Sequence, residues 1–417
     1  MKSSLGCRLL LWTMPVTLAA CHTDTKSTSA TTSPPLATIS LHAAPAATPL
    51  TTYRGALPGQ ADSITLYLLA GRGLDRGEPL GTDTLSYSGT YYGADGIPQF
   101  VAGQPLRSAP DSVLLEESAQ NMTLADEDEM PETDTWRLRR LPTGELTGTR
   151  AGAPIRLRPV RLPGGVAFTQ HAFTDSVAAL PKEAHTPYGR VSLRALLPVA
   201  NDAAVQRTLT QSILRSLFSD YLDKGPAPAS LKALWQQRRT AFSKFYREDA
   251  QAMVANQPLD SVPDYTLRYI RAQAMDVYCN ESDLLSVGFT RYSYSGGAHG
   301  GYGTAAASYD LRSGRALQFA DIFLPAAHTR LVPVLNRAVR RTMGLEQDEP
   351  LDEMLFVKQM PVTHNVYLTP DGVIFIYLPY EIASYAQGEI RVFVPYAEVR
   401  GLLRPGLPVA DNRPGAV

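Results

Sequence analysis

Residues 63–68, Ser-Ile-Thr-Leu-Tyr-Leu, alternate polar and apolar side chains, the period of a strand with one buried face. Shorter stretches of similar character recur at 84–87, 112–116, 135–141 and 155–162, separated by turn signals such as Asp95-Gly96 and Pro142-Thr143-Gly144. This spacing predicts an antiparallel meander or small barrel over 51–165. The period then changes. Val205, Leu209, Ile213, Leu214, Leu217 and Phe218 recur at helical intervals after the capping candidates Asn201 and Asp202. Leu231, Leu234, Trp235, Phe242, Phe245, Tyr246 and Met253 form the core-facing stripe of a second helix. From 265 the strand pattern returns at 267–277 and 284–294, and 305–311 is joined to 316–319 by a short turn. A helix over 326–343 carries Leu331, Val334, Leu335 and Val339. Strands at 366–368 and 373–378 flank Pro370-Asp371-Gly372 as a hairpin, followed by a strand at 390–394 and a closing helix at 397–403.

The expected class is therefore α+β. An N-terminal antiparallel β domain is followed by a helical segment and an antiparallel sheet with a packed helix. The divisions fall at 51–165 (β-rich), 166–282 (helical and strand segment), 283–404 (C-terminal α+β domain) and 405–417 (tail).

Composition changes the picture mainly at the N-terminus. In residues 1–20, Lys2 and Arg8 precede an apolar stretch, Leu9 to Leu18, as in a secretory leader. The stretch ends at Leu18-Ala19-Ala20-Cys21, which resembles a bacterial lipobox: small residues before the cut, and a thiol at +1 that can carry lipid. Lipidation at Cys21 would place the protein in the bacterial cell envelope, held to the membrane by an N-terminal lipid on the periplasmic face or the cell surface. Residues 21–50, rich in Thr, Ser, Ala and Pro, read as a disordered tether. Of the three cysteines, Cys7 would leave with the leader and Cys279 would be the only free thiol. With 39 basic against 40 acidic side chains there is no basic footprint, which excludes nucleic acid as the expected partner. The longest late apolar run, 373–378, is far too short to span a bilayer, so a multispan membrane protein is also excluded.

Candidate chemistry concentrates in one place. Tyr292-Ser-Tyr-Ser-Gly-Gly-Ala-His-Gly-Gly-Tyr-Gly303 places five glycines in eight residues, Gly296 to Gly303, around His299. A phosphate loop would need a following lysine or helix, and the next residues read as strand. No H-E-x-x-H or C-x-x-C occurs, so no metal is expected, and no cofactor. The acidic stretch 126–129 lacks the ligand spacing of an EF-hand. Three readings of the glycine segment stay open. It is a tight bend whose histidine bonds a backbone carbonyl, a surface for a ligand or partner, or a general-base site in which His299 acts with Ser295, oriented by Asp310 or Glu381. No catalytic residue is assigned.

The segment Tyr292–Gly300, then Tyr309-Asp310-Leu311 with Gly314, then Phe319-Ala-Asp-Ile-Phe323, resembles the PdaC/RsiV-like domain family. Tyr367-Leu-Thr-Pro-Asp-Gly372, Leu378-Pro-Tyr-Glu-Ile-Ala-Ser-Tyr385, Gly388 and Val394-Pro-Tyr396 continue the resemblance, which is strong over 283–404 and weaker over 186–282. Such domains serve as ectodomains of lysozyme-sensing anti-sigma factors and as accessory regions of peptidoglycan deacetylases. This chain shows neither an internal transmembrane run nor a deacetylase segment, so the resemblance implies recognition at the cell wall. The expected function is non-catalytic binding of a cell-wall glycan or a muramidase-like (lysozyme-like) protein. The expected contact surface comprises Tyr292, Tyr294, Ser295, Gly296, Gly297, His299, Gly300, Tyr380 and Tyr385, because tyrosine couples a flat apolar ring to a polar tip. Each tyrosine has an alternative role in cross-strand packing. The alternative function is an envelope hydrolase acting on peptidoglycan through His299 and nearby carboxylates.

Overall fold

A computed structural model describes residues 49–57, 63–72, 85–93, 95–106, 108–118, 134–183, 185–218, 226–255 and 257–409. The leader, Cys21, nearly all of the expected tether, the acidic stretch 126–129 and the end of the tail lie outside the described residues.

The first region is a closed antiparallel barrel. Its strands are β1 (Leu50–Ala56), β2 (Ser63–Arg72), β3 (Leu85–Tyr92), β4 (Pro98–Leu106), β5 (Ala109–Ser118), β6 (Thr135–Arg140), β7 (Leu146–Arg150) and β8 (Ala153–Val160). Each pairs with the next, and β1 pairs with β8 in the register Thr52↔Val160, which leaves no open edge. Alternation sends Tyr53, Leu66, Leu68, Tyr91, Leu115 and Trp136 into one interior cluster. These inward side chains form a buried hydrophobic core within the barrel. Close strand approach explains Gly103, where a Cβ would lie 1.8 Å from Leu114 O. Three strands, β1, β4 and β7, carry no clear alternation; β4 contains Pro98, Pro105 and Gly103, and β7 contains Gly148.

The second region is a six-stranded sheet in the order β14 (Arg315–Leu317), β13 (Gly301–Asp310), β12 (Leu284–Ser295), β11 (Tyr269–Glu281), β10 (Tyr188–Val199) and β9 (Ala167–Ala178). Every neighbouring pair is antiparallel except β10 and β11, which are parallel. A parallel pair needs a long crossover. Two helices supply it, α1 (Ala203–Leu217) and α2 (Leu231–Val254). Asp202 caps α1 by accepting from Ala204 and Val205 N–H, and Ser230 caps α2 at Ala233 N. The sheet runs through residue 282, so strands on both sides of that position share one hydrogen-bonded surface.

The third layer is β15 (Val366–Leu368), β16 (Gly372–Tyr377) and β17 (Ile390–Pro395), with α4 (Ala327–Met343) against it; α3 (Phe319–Ile322) and α5 (Tyr396–Val399) are single turns. The continuous apolar run of β16 now has a cause. Val373, Phe375 and Tyr377 face the α4 side, whereas Ile374 and Ile376 face Tyr278 and Tyr367 in a separate cluster. A strand buried on both faces loses its alternation. The α+β class, with mostly antiparallel sheets and a β-rich N-terminal region, is as expected.

The barrel is joined to the body by polar contacts. Tyr92 Oη donates to Tyr278 O at 2.9 Å, and Asp276 Oδ1 accepts from Ser88 Oγ at 2.7 Å and from Arg194 Nη2 at 2.6 Å. At the same junction the Arg391 guanidinium lies 4.4 Å from the Phe100 ring centroid and 5.3 Å from that of Tyr278. It pairs with Glu389 at 2.8 Å. Burial opposes the Arg391 charge, yet Tyr278, Glu389 and Tyr367 outweigh it and hold its pKa above the ordinary guanidinium value. Burial pushes the Tyr278 hydroxyl up to about 12.

Candidate functional site

Two loops meet at the end of the second sheet. The first connects β12 to β13, whose register pairs Tyr292 with Tyr302 and Ser293 with Gly301. Its glycines are required by geometry. Gly296 and Gly297 have φ of +82° and +100°, and a Cβ on Gly296 would lie 2.8 Å from Thr266 O. The second loop runs from Leu378 to Gly388, between β16 and β17. Glu381 Oε2 accepts from Leu378 N at 2.9 Å, and Tyr380 N donates to Ala383 O at 3.1 Å. Ser384 and Gln387 cap the short turn that carries Tyr385.

Tyr385 is the hub where the loops touch. Its hydroxyl donates to Gly300 O at 2.5 Å. The His299 ring stacks on it at 4.3 Å and 23°, Tyr380 lies at 5.6 Å, and Tyr302 meets it edge-on at 5.9 Å. Tyr302 Oη in turn closes on Gly388, where a Cβ would sit 2.7 Å away, and Leu378 packs over Gly303. His299, Tyr302, Leu378 and Tyr380 are all exposed, Tyr380 by 61%. The result is an aromatic platform with polar tips, built from chain segments some eighty residues apart.

Tyr380 is also strained. Its φ is +69°, in the left-handed region. For a residue with a Cβ this costs about 1–2 kcal/mol. Holding a large aromatic there while leaving most of it in water is a choice that packing alone does not reward.

The expected site residues separate into two groups. His299, Gly300, Tyr380 and Tyr385 come together. Tyr294 instead donates to Gly297 O at 2.9 Å within its own loop, and the Tyr292 hydroxyl lies against Gly300, where a Cβ would be 2.4 Å away. Ser295, Gly296 and Gly297 shape the bend rather than the platform. Tyr302 is the residue the sequence reading missed. Its signal was present as the cross-strand partner of Tyr292, but only the register reveals it.

His299 has the bond expected of a simple bend, Nδ1 to Gly300 O at 3.0 Å. A carbonyl only accepts, so in this bond Nδ1 is the donor. Neither suggested orienter reaches it. Asp310 is at the far end of β13, nine residues from Gly301 and so roughly 30 Å away, where both its oxygens bind Arg312. Glu381 caps Leu378. The arrangement presents flat ring faces and hydrogen-bonding tips, which suits recognition. Among the described residues no group of three or more metal-ligating side chains occurs.

Part of this site falls in a segment that is similar to a known family. Residues 320–397 match the model of a protein of unknown function, DUF3298. That span includes Tyr380 and Tyr385 but not the glycine loop. Among solved structures, a DUF3298 family member from Bacteroides fragilis NCTC 9343 is similar at a TM-score of 0.51 and 24% identity, covering 58% of this chain and 96% of its own. A DUF3298 family protein from Pseudomonas aeruginosa PAO1 is 19% identical over 59% of this chain and 96% of its own, with a TM-score of 0.40. The first likeness shows the fold. No curated protein matches.

Proposed function

We propose that this chain is a lipid-anchored protein of the bacterial cell envelope that binds cell-wall glycan without catalysis, in the manner implied by its resemblance to PdaC/RsiV-like domains. The observation that carries the reading is the exposed platform of His299, Tyr302 and Tyr380 around Tyr385. A sugar ring presents an apolar C–H face edged by hydroxyls. The negative face of an aromatic ring attracts such C–H groups, and tyrosine and imidazole tips meet the hydroxyls. The strained, exposed Tyr380 supports a role outside packing. The lipobox-like Cys21 supports attachment to the membrane.

The test is co-sedimentation of the purified protein with insoluble peptidoglycan, beside a column of immobilised lysozyme. The expected result is retention by the glycan and its loss in Tyr385→Ala. Retention by lysozyme alone would move the reading to a muramidase-like partner, and folded protein retained by neither would reject both. Labelling with a fatty-acid analogue, lost in Cys21→Ser, tests the anchor separately.

A further inference from the structure

Helix α1 carries two stripes. Leu209, Ile213, Leu214 and Leu217 enter the core. Thr208, Ser212, Arg215 and Ser216, spaced by about one helical turn, line a cleft of about 590 Å³. Its other wall holds Arg315 of β14, then Gln318 and Asp321. The volume falls in the range of small-molecule sites, about 300–1,000 Å³.

The walls are held in place. Gly314, φ +71°, presses its turn onto α1 so closely that a Cβ would lie 2.6 Å from Val205 O. Tyr309 Oη donates to Ser216 Oγ at 2.9 Å, and Ser216 Oγ donates to Ser212 O at 3.2 Å. The polar groups between these walls are left open. Ser212 is only 6% exposed, yet its hydroxyl has no hydrogen-bond partner among the described residues. Arg215 and Arg315 likewise have no ion-pair partner among the described residues, whereas Arg312, three positions from Arg315, is held by both oxygens of Asp310.

Two guanidiniums with no ion-pair partner among the described residues, lining one cleft, favour an oxyanion. Asp321 narrows the choice. One oxygen is fixed on Gln318 N at 2.9 Å, and the carboxylate would repel a bare anion. A ligand that satisfies both must present a hydrogen-bond donor beside its negative group. We infer that this cleft binds a small anionic carbohydrate, a sugar acid or sugar phosphate. Arg215 and Arg315 hold the anion, while Ser212 Oγ and Asp321 take the ring hydroxyls. The site is distinct from the aromatic platform and does not depend on its function.

Calorimetric titration of the full chain with glucuronate, glucose 6-phosphate and glucose tests the inference. At least one anionic sugar should bind, glucose should not, and the preferred anion assigns carboxylate or phosphate. Arg215→Gln and Arg315→Gln should each weaken binding by about tenfold or more. Both side chains are exposed, so an unchanged melting temperature should accompany the loss. Failure of both anions to bind, equal binding of glucose, or undiminished binding in the double variant would overturn it.

Discussion

Two clusters of tyrosines, one around Arg391 of β17 and one around Tyr385 in the loop before that strand, are built for opposite purposes. In the first, Tyr278 and Tyr367 surround Arg391 where the barrel, the six-stranded sheet and the three-stranded sheet converge. Both tyrosines are buried, the Arg391 side chain is only 11% exposed, and Glu389 pairs with its charge. In the second, Tyr302, Tyr380 and Tyr385 gather with His299 at the surface. The clusters are mechanically linked, because Glu389 Oε1 also accepts from Thr304 N at 2.5 Å, two residues from Tyr302. Residue type does not separate the two. Burial and backbone strain do: the inner rings satisfy a buried charge, while the outer cluster holds one ring in an unfavourable conformation and leaves it exposed.

This contrast predicts losses of different kinds. The largest is expected for Arg391→Leu, which leaves Glu389 charged and buried without its partner; such removal costs about 3–5 kcal/mol, measurable by urea denaturation. A loss below about 1 kcal/mol, the range of an exposed pair, would mean the inner cluster is not structural. Next comes Tyr385→Ala, which should cut glycan binding by about tenfold or more, about 1.4 kcal/mol, with a smaller stability change than Arg391→Leu. Tyr380→Gly sharpens the comparison further. Relief of the left-handed strain should leave the protein as stable or up to about 1 kcal/mol more stable, while binding falls. A destabilised Tyr380→Gly would return that ring to an ordinary packing role.

The smallest effect concerns pH. Burial of half-buried His171 holds its pKa below the ordinary imidazole value. Between the folded and unfolded pKa values the unfolded chain binds more protons, so stability rises with pH there. It should be lost as pH falls from about 6.5, the unfolded value, through the folded pKa. His171→Gln should flatten that slope in chemical denaturation.

The hairpin at 366–378, the helix over 327–343 and the strand at 63–72 were legible because local periodicity specifies them. Closure of β1 on β8 and the parallel pairing of β10 with β11 were not, since both join segments far apart in the chain. Strands β9 and β10 escaped notice for a related reason: β9 is half-exposed with mixed composition, and β10 is buried on both faces near its end. At the candidate site the glycine bend pointed to the right place. Which tyrosines turn outward depends on strand register and on a loop that returns some eighty residues later. Tyr292 and Tyr294 therefore read as equivalents of Tyr385 in the sequence and differ from it in space.

The most direct measurement is amide hydrogen exchange on the full chain, with and without soluble peptidoglycan fragments. Binding at the platform predicts slowed exchange confined to residues 296–303 and 378–388. Slowed exchange only elsewhere, in the barrel for example, or no change under conditions where the fragments bind, would contradict the account.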